Sequence, residues 1–190
     1  MRTLWMVLAV AVLGFACTDY PMLTVREGLC QIRPVSDEPD PSLPVAGKVA
    51  VVYRNANFEY GKFGSCELDG YSGVAKTEPK YQPPDRYADS PEQVDTVVLI
   101  ETQKGQFIDK AEAQRTLSTK TETSVFAGNT TISLIDRQTG KLARRVSFST
   151  RNFPQQVPQQ RLKLVDGSRY EYVCEPTVEE VRENLGRFFN

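Results

Sequence analysis

The sequence predicts an α+β domain: a mainly antiparallel sheet with one C-terminal helix packed on a face. Three observations predict it. Lys48 to Arg54 and Asp95 to Thr102 are apolar, β-branched runs. A paired set of alternating segments flanks Asp136-Arg137-Gln138-Thr139-Gly140. The chain then closes on an amphipathic stretch with its own start signal. Strands followed by a single closing helix are the pattern of an α+β layer structure.

The elements follow in order. Lys48 to Arg54 is short, apolar and β-branched, which marks a buried strand. An aromatic, glycine-punctuated segment follows, with Phe58, Tyr60, Phe63 and Tyr71, and a proline-rich connection runs from Pro79 to Pro84. Ser90 caps a single helical turn that has Pro91 at its first position. Asp95 to Thr102 carries four central apolar residues and reads as a strand buried on both faces. Lys104-Gly105 is a plausible tight turn into Gln106 to Lys110, and Ala111 to Lys120 reads as either an edge strand or a short helix.

Thr121 to Asp136 and Lys141 to Ser149 form a hairpin. Ile132 and Leu134 alternate with polar neighbours, as do Val146 and Phe148, and Gly140 is free to take positive φ in the loop. Arg161 to Val165 and Tyr170 to Val173 pair around Asp166-Gly167. Thr177 and Glu180 form a capping box, and Val178, Val181, Leu185 and Phe188 fall on one stripe that should lie on a sheet face.

The first residues have the grammar of an export signal. Arg2 gives a positive end, Leu4 to Leu13 is apolar, and Gly14 and Ala16 are small residues before Cys17. The apolar run is too short to span a bilayer, which takes about 20 residues. The reading is therefore a signal over residues 1–16, a proline- and acid-rich tether over 17–46, and one domain over 47–190. The tether segment, Pro34 to Pro44, is either a spacer or an N-terminal loop pinned by Cys30. Leu13 to Cys17 resembles the lipobox of bacterial lipoproteins, which implies a lipid on Cys17 and a membrane anchor through it. Gly14 stands where that motif carries Leu, Val or Ile, and an ordinary signal-peptidase site fits equally.

Cysteine chemistry follows from that choice. With Cys17 lipidated, Cys30, Cys66 and Cys174 allow one bridge and one leftover thiol; without lipid, the four cysteines allow two bridges. An exported compartment is oxidising, so a disulfide is expected. Cys66 with Cys174 is the favoured pair, and Cys30 with either is the alternative.

The chain has no histidine. That removes the Ser-His-Asp triad, the Cys-His pair and imidazole metal sites. Phosphate-binding glycine loops and CxxC pairs are also missing from the sequence. No cofactor and no metal is expected. The formal charge is −1 with mixed signs and no basic stripe, so nucleic acid is not an expected partner. Arg144-Arg145 reads as the solvated side of a strand, and Asn129-Thr130-Thr131 matches a glycosylation sequon whose use depends on a eukaryotic source.

Tyr53, Phe58, Tyr60, Phe63 and Tyr71 are candidates for a groove that holds a peptide or glycan, because rings bury much area and tyrosine adds a polar tip. The carboxylates Glu59, Glu67, Asp69, Asp95, Glu101 and Asp136 are candidates for a hydrolytic pair. Three segments, Ala88 to Val98, Thr131 to Lys141 and Pro176 to Val181, are together similar to small exported bacterial proteins and lipoproteins of no assigned function. The hairpin piece also resembles the sheet of outer-membrane assembly lipoproteins of the curli-secretion and penicillin-binding-protein-activator type. The resulting expectation is a non-catalytic, exported cell-envelope protein, periplasmic or on the outer surface, that binds or scaffolds another envelope protein or a glycan. The alternatives are a small secreted carboxylate-dependent hydrolase and a secreted enzyme inhibitor.

Overall fold

The computed structural model describes residues 28–45, 47–55, 66–72, 75–76, 79–81, 86, 88, 90–114, 120–152, 162–166 and 169–189. Residues 28–31 are helical (α1). The strands are β1 (Lys48–Asn55), β2 (Glu67–Leu68), β3 (Tyr71–Ser72), β4 (Ala75–Lys76), β5 (Val94–Gln114), β6 (Lys120–Asp136), β7 (Leu142–Thr150), β8 (Lys163–Asp166) and β9 (Arg169–Val173). A 3₁₀ turn spans Pro91–Gln93, and α2 spans Val178–Phe189. The signal residues 1–16 and Cys17 lie outside the described residues.

The main sheet is mixed, which corrects the expectation of a mainly antiparallel α+β sheet. β1 runs parallel to β5, from Lys48↔Val94 to Asn55↔Thr102, and β6 runs parallel to β9 over Thr123–Phe126. β5–β6, β6–β7, β8–β9 and β1–β2 are antiparallel. The physical reason is the long excursion between Asn55 and Val94. Parallel neighbours need a crossover, and that stretch supplies one. The unbroken apolar runs of β1 and β5 fit this arrangement, since a strand covered on both faces has no polar side to show.

Alternate residues of the central strands face two cores. Val49, Val51, Tyr53, Val98, Ile100, Ile132 and Leu134 meet Val181 and Leu185 of α2. Ala50, Val52, Val97, Leu99, Ile135 and Leu142 face the other way and meet Leu29, Cys66, Ala88 and Val94. The closing helix is started by its capping box. Thr177 N donates to Glu180 Oε2 at 2.8 Å, and Glu180 N donates to Thr177 Oγ1 at 3.1 Å.

Lys104-Gly105 is not a turn. β5 runs through it to Gln114, with register shifts against β6 between Lys104 and Asp109. A Cβ on Gly105 would stand 2.9 Å from the Ala127 carbonyl oxygen, so glycine here answers close strand approach at a bulge. Ala111 to Gln114 continues β5 as strand. Past Thr102, β5 has left β1 behind, and β5–β6 continues as a ribbon. β9 and β8 join it on the β6 side around a small core of Val125, Tyr172 and Cys174.

Candidate functional site

Of the aromatic set expected to line a groove, Tyr53 is the member whose side chain is described, and it lies in the core. Tyr53 is 3% exposed in the core. Its ring packs 6.1 Å from that of Tyr81, and its hydroxyl accepts from Asn55 Nδ2 at 3.1 Å. Burial drives the Tyr53 phenol far above the ordinary tyrosine range, and the negative charge of Glu175 adds to it. Tyr71 sits in β3 opposite Lys76. Phe58, Tyr60 and Phe63 lie outside the described residues, as does Glu59.

The described carboxylates whose bonds are resolved serve the chain itself. Asp69 is buried and accepts from Lys80 N at 2.7 Å and Tyr81 N at 2.8 Å. Asp95 accepts from Lys48 N at 2.9 Å. Asp136 Oδ1 accepts from Thr139 N at 2.8 Å and Thr139 Oγ1 at 2.6 Å, and these bonds hold its carboxyl below the usual range. Glu101 pairs with Arg54 at 3.1 Å. Glu101 stands opposite Thr131, five residues along β6 from Asp136. Five strand residues span about 17 Å, well beyond either spacing used in glycoside hydrolysis. No group of three metal-ligating acids or thiols occurs among the described residues.

The cysteines pair differently from the favoured assignment. The bridge joins Cys30 to Cys66, and Cys174 is a free, buried thiol. The reason is topological. Cys174 follows β9 and hydrogen-bonds through its amide to Phe126 O at 2.9 Å, in the small core beside the ribbon. Cys66 lies in the other core, with Leu29 buried there and Cys30 packed against it. Burial pushes the Cys174 thiol up, so it stays protonated.

Around that bridge the structure builds a node that the sequence does not announce. Arg54, 2% exposed, donates from Nη1 to Glu101 and from Nη2 to the carbonyls of Cys30 and Ile32, the latter at 2.9 Å. A guanidinium thus closes the last turn of α1 and satisfies carbonyls that a helix end leaves open. The chain from there passes the β6–β7 loop and the first residue of β7. Val35 N donates to Gly140 O at 3.0 Å, and Asp40 N donates to Leu142 O at 2.8 Å. Arg144 Nη1 reaches the carbonyls of Asp40 and Leu43, both at 3.4 Å. Arg145 donates to Asp37 O at 3.1 Å and to its carboxylate at 3.3 Å. The arginine pair expected on a solvated strand face therefore grips the Pro34–Pro44 segment. The two arginines stand on β7 opposite Leu134 and Ser133, and that placement comes from the assembled sheet.

Val35 on that segment is exposed (72%), and four further large apolar side chains are exposed elsewhere. Phe107 (55%), Ile108 (38%), Leu164 (53%) and Val165 (50%) lie on the ribbon and on β8, the last strand of that side of the sheet. Phe107 meets Phe126 edge-on at 5.7 Å, and Lys104 sits over the Phe126 ring at 3.8 Å. No helix among the described residues is long and apolar enough to cross a membrane. No known protein family, curated protein or solved structure matches this chain.

Proposed function

We propose that the chain is an exported, non-catalytic cell-envelope protein whose β domain binds or scaffolds another envelope component, held to a membrane by a lipid on Cys17. The observation that carries the binding reading is the exposure of large apolar side chains: Phe107 and Ile108 on β5, and Leu164 and Val165 on β8. Large apolar side chains in solvent suit contact with a partner when they join into a patch. The Cys30–Cys66 bridge supports an oxidising compartment. The lipid on Cys17 is carried by the lipobox-like Leu13 to Cys17 segment of the sequence.

Crosslinking in native envelopes followed by pull-down tests the reading. A specific partner should be recovered, and a Phe107→Ser/Leu164→Ser variant of equal abundance should recover it at least tenfold less. Recovery no different from that of an unrelated exported protein contradicts it.

A further inference from the structure

We propose that the Cys30–Cys66 bridge is a redox-opened clasp in the membrane anchor. While it is closed, the domain hangs from Cys17 by the chain before α1, and a cut in the Pro34–Pro44 segment does not release it. A dithiol reductant opens the clasp, and a cut chain then leaves its anchor. The anchor is the lipid on Cys17 assigned above, and the clasp's role in the cell rests on that assignment.

Covalent connectivity carries the inference. The bridge joins cysteines 36 residues apart, so every peptide bond between Cys30 and Cys66 lies inside one closed ring. Breaking one peptide bond of a ring leaves both sides joined. Residues 35–39 and 41–42 lie in that ring and are exposed, which is where a protease can reach. The closed bridge also moves the point of attachment. Cys17 and Gly28, where α1 begins, are eleven residues apart, a reach of at most about 40 Å. Cys17 and Lys48, where β1 begins, are thirty-one apart, a reach of about 110 Å. The clasp therefore keeps the domain within the shorter distance of its membrane.

Among the described residues, the other ties on the anchor side of such a cut are few. Leu29 is buried, with Cys30 and Ile32 packed beside it, and Arg54 bonds to the carbonyls of Cys30 and Ile32. Val35 N bonds to Gly140 O, and the Asp37–Arg145 pair is exposed and adds little. α1 has four residues, too few to stay helical alone. Contacts on this scale do not offset the cost of keeping two separate chains together. The dithiol opens the bridge by exchange. One thiolate attacks a bridge sulfur to give a mixed disulfide, and the second thiol displaces it. The two cysteines leave as thiols and the reductant as a disulfide. Cys30, the more exposed of the two residues, gives the route of attack.

The test uses the mature chain with the recognition sequence of a site-specific endoprotease inserted between Glu38 and Pro39. It is coupled through the Cys17 thiol to a maleimide lipid in phosphatidylcholine vesicles. The thioether is inert to dithiothreitol, so the reductant acts on the bridge. After complete cutting, checked on a reducing denaturing gel, sedimentation reads what stays on the vesicles. A clasp leaves at least ten times as much domain on cut vesicles without dithiothreitol as with it, and uncut vesicles keep theirs in both. In Cys30→Ser/Cys66→Ser, cutting alone releases the domain. Domain lost from the bridged chain on cutting alone overturns the proposal, and so does domain retained after cutting and reduction. Maleimide coupling replaces the lipid, so either failure is distinct from a failure of the lipid reading, which the mass of the native protein tests.

Discussion

Arg54 shows how one buried charge joins distant parts of this chain. Its guanidinium is satisfied by Glu101 on the neighbouring strand and by two carbonyls of the N-terminal segment. Arg54→Met is expected to lower unfolding free energy by about 3 kcal/mol in urea denaturation, because Glu101 and both carbonyls lose their donor. A variant within about 0.5 kcal/mol of wild type would show that the node does not hold these parts together. Asp136 acts locally. Asp136→Ala should cost about 1 kcal/mol, since its bonds to Thr139 are partly exposed. Its carboxyl titrates below its unfolded value, so this contribution is whole above the ordinary aspartate range near pH ~4 and is lost as pH falls through the lower, folded value. Wild type and variant should converge in stability at acid pH. The two residues also differ in legibility. Asp136 reaches a partner three positions away, which a turn sequence displays. Arg54 meets carbonyls 22 and 24 positions back, and nothing in local spacing displays that.

At the scale of elements, what short-range chemistry decides was readable and what the path of the chain decides was not. The capping box, the loop ending in Gly140 (φ 69°) and the strand cores are all set within a few residues. Strand direction is not. Whether β5 returns parallel or antiparallel to β1 depends on the excursion between them. The hint was in the unbroken apolar runs, which suit a strand covered on both faces. Glycine was similarly ambiguous. Gly105 looked like a turn and proves to be a close approach. Gly128 is tighter still: a Cβ there would collide with the Cys174 carbonyl oxygen and stand 2.9 Å from Thr102 Cγ2. Gly128→Ala should therefore cost about 1–3 kcal/mol, the range for forced overpacking, and calorimetry should show the loss. A neutral Gly128→Ala would mean that β6 and the chain after β9 do not approach this closely.

For the whole molecule, the sheet stands between two unequal covers. α2 lays an apolar stripe on one face. The other face is closed by α1 and the loop carrying Cys66, which are short and depend on a covalent tie. The bridge spans a sequence separation of 36 residues, for which loop-closure entropy corresponds to about 3–4 kcal/mol. Cys30→Ser should lose most of that in denaturant titration, and proteolysis should then begin within residues 28–45. A variant as stable as wild type would show that the packing of that cover holds without the bridge. Tyr53 belongs to this scale too: it has the composition of a binding residue and the position of a core residue, and only the assembled sheet tells them apart.

Export, lipid on Cys17, one bridge and one buried thiol meet in a single quantity, the intact mass of the protein recovered from its native envelope, read with alkylation before and after unfolding. The expected species begins at Cys17 with a lipid adduct, has one disulfide that maps to Cys30 and Cys66, and has a single thiol, Cys174, that takes label only after unfolding. A chain that still begins at Met1, with all its thiols labelled in the native state, would contradict it.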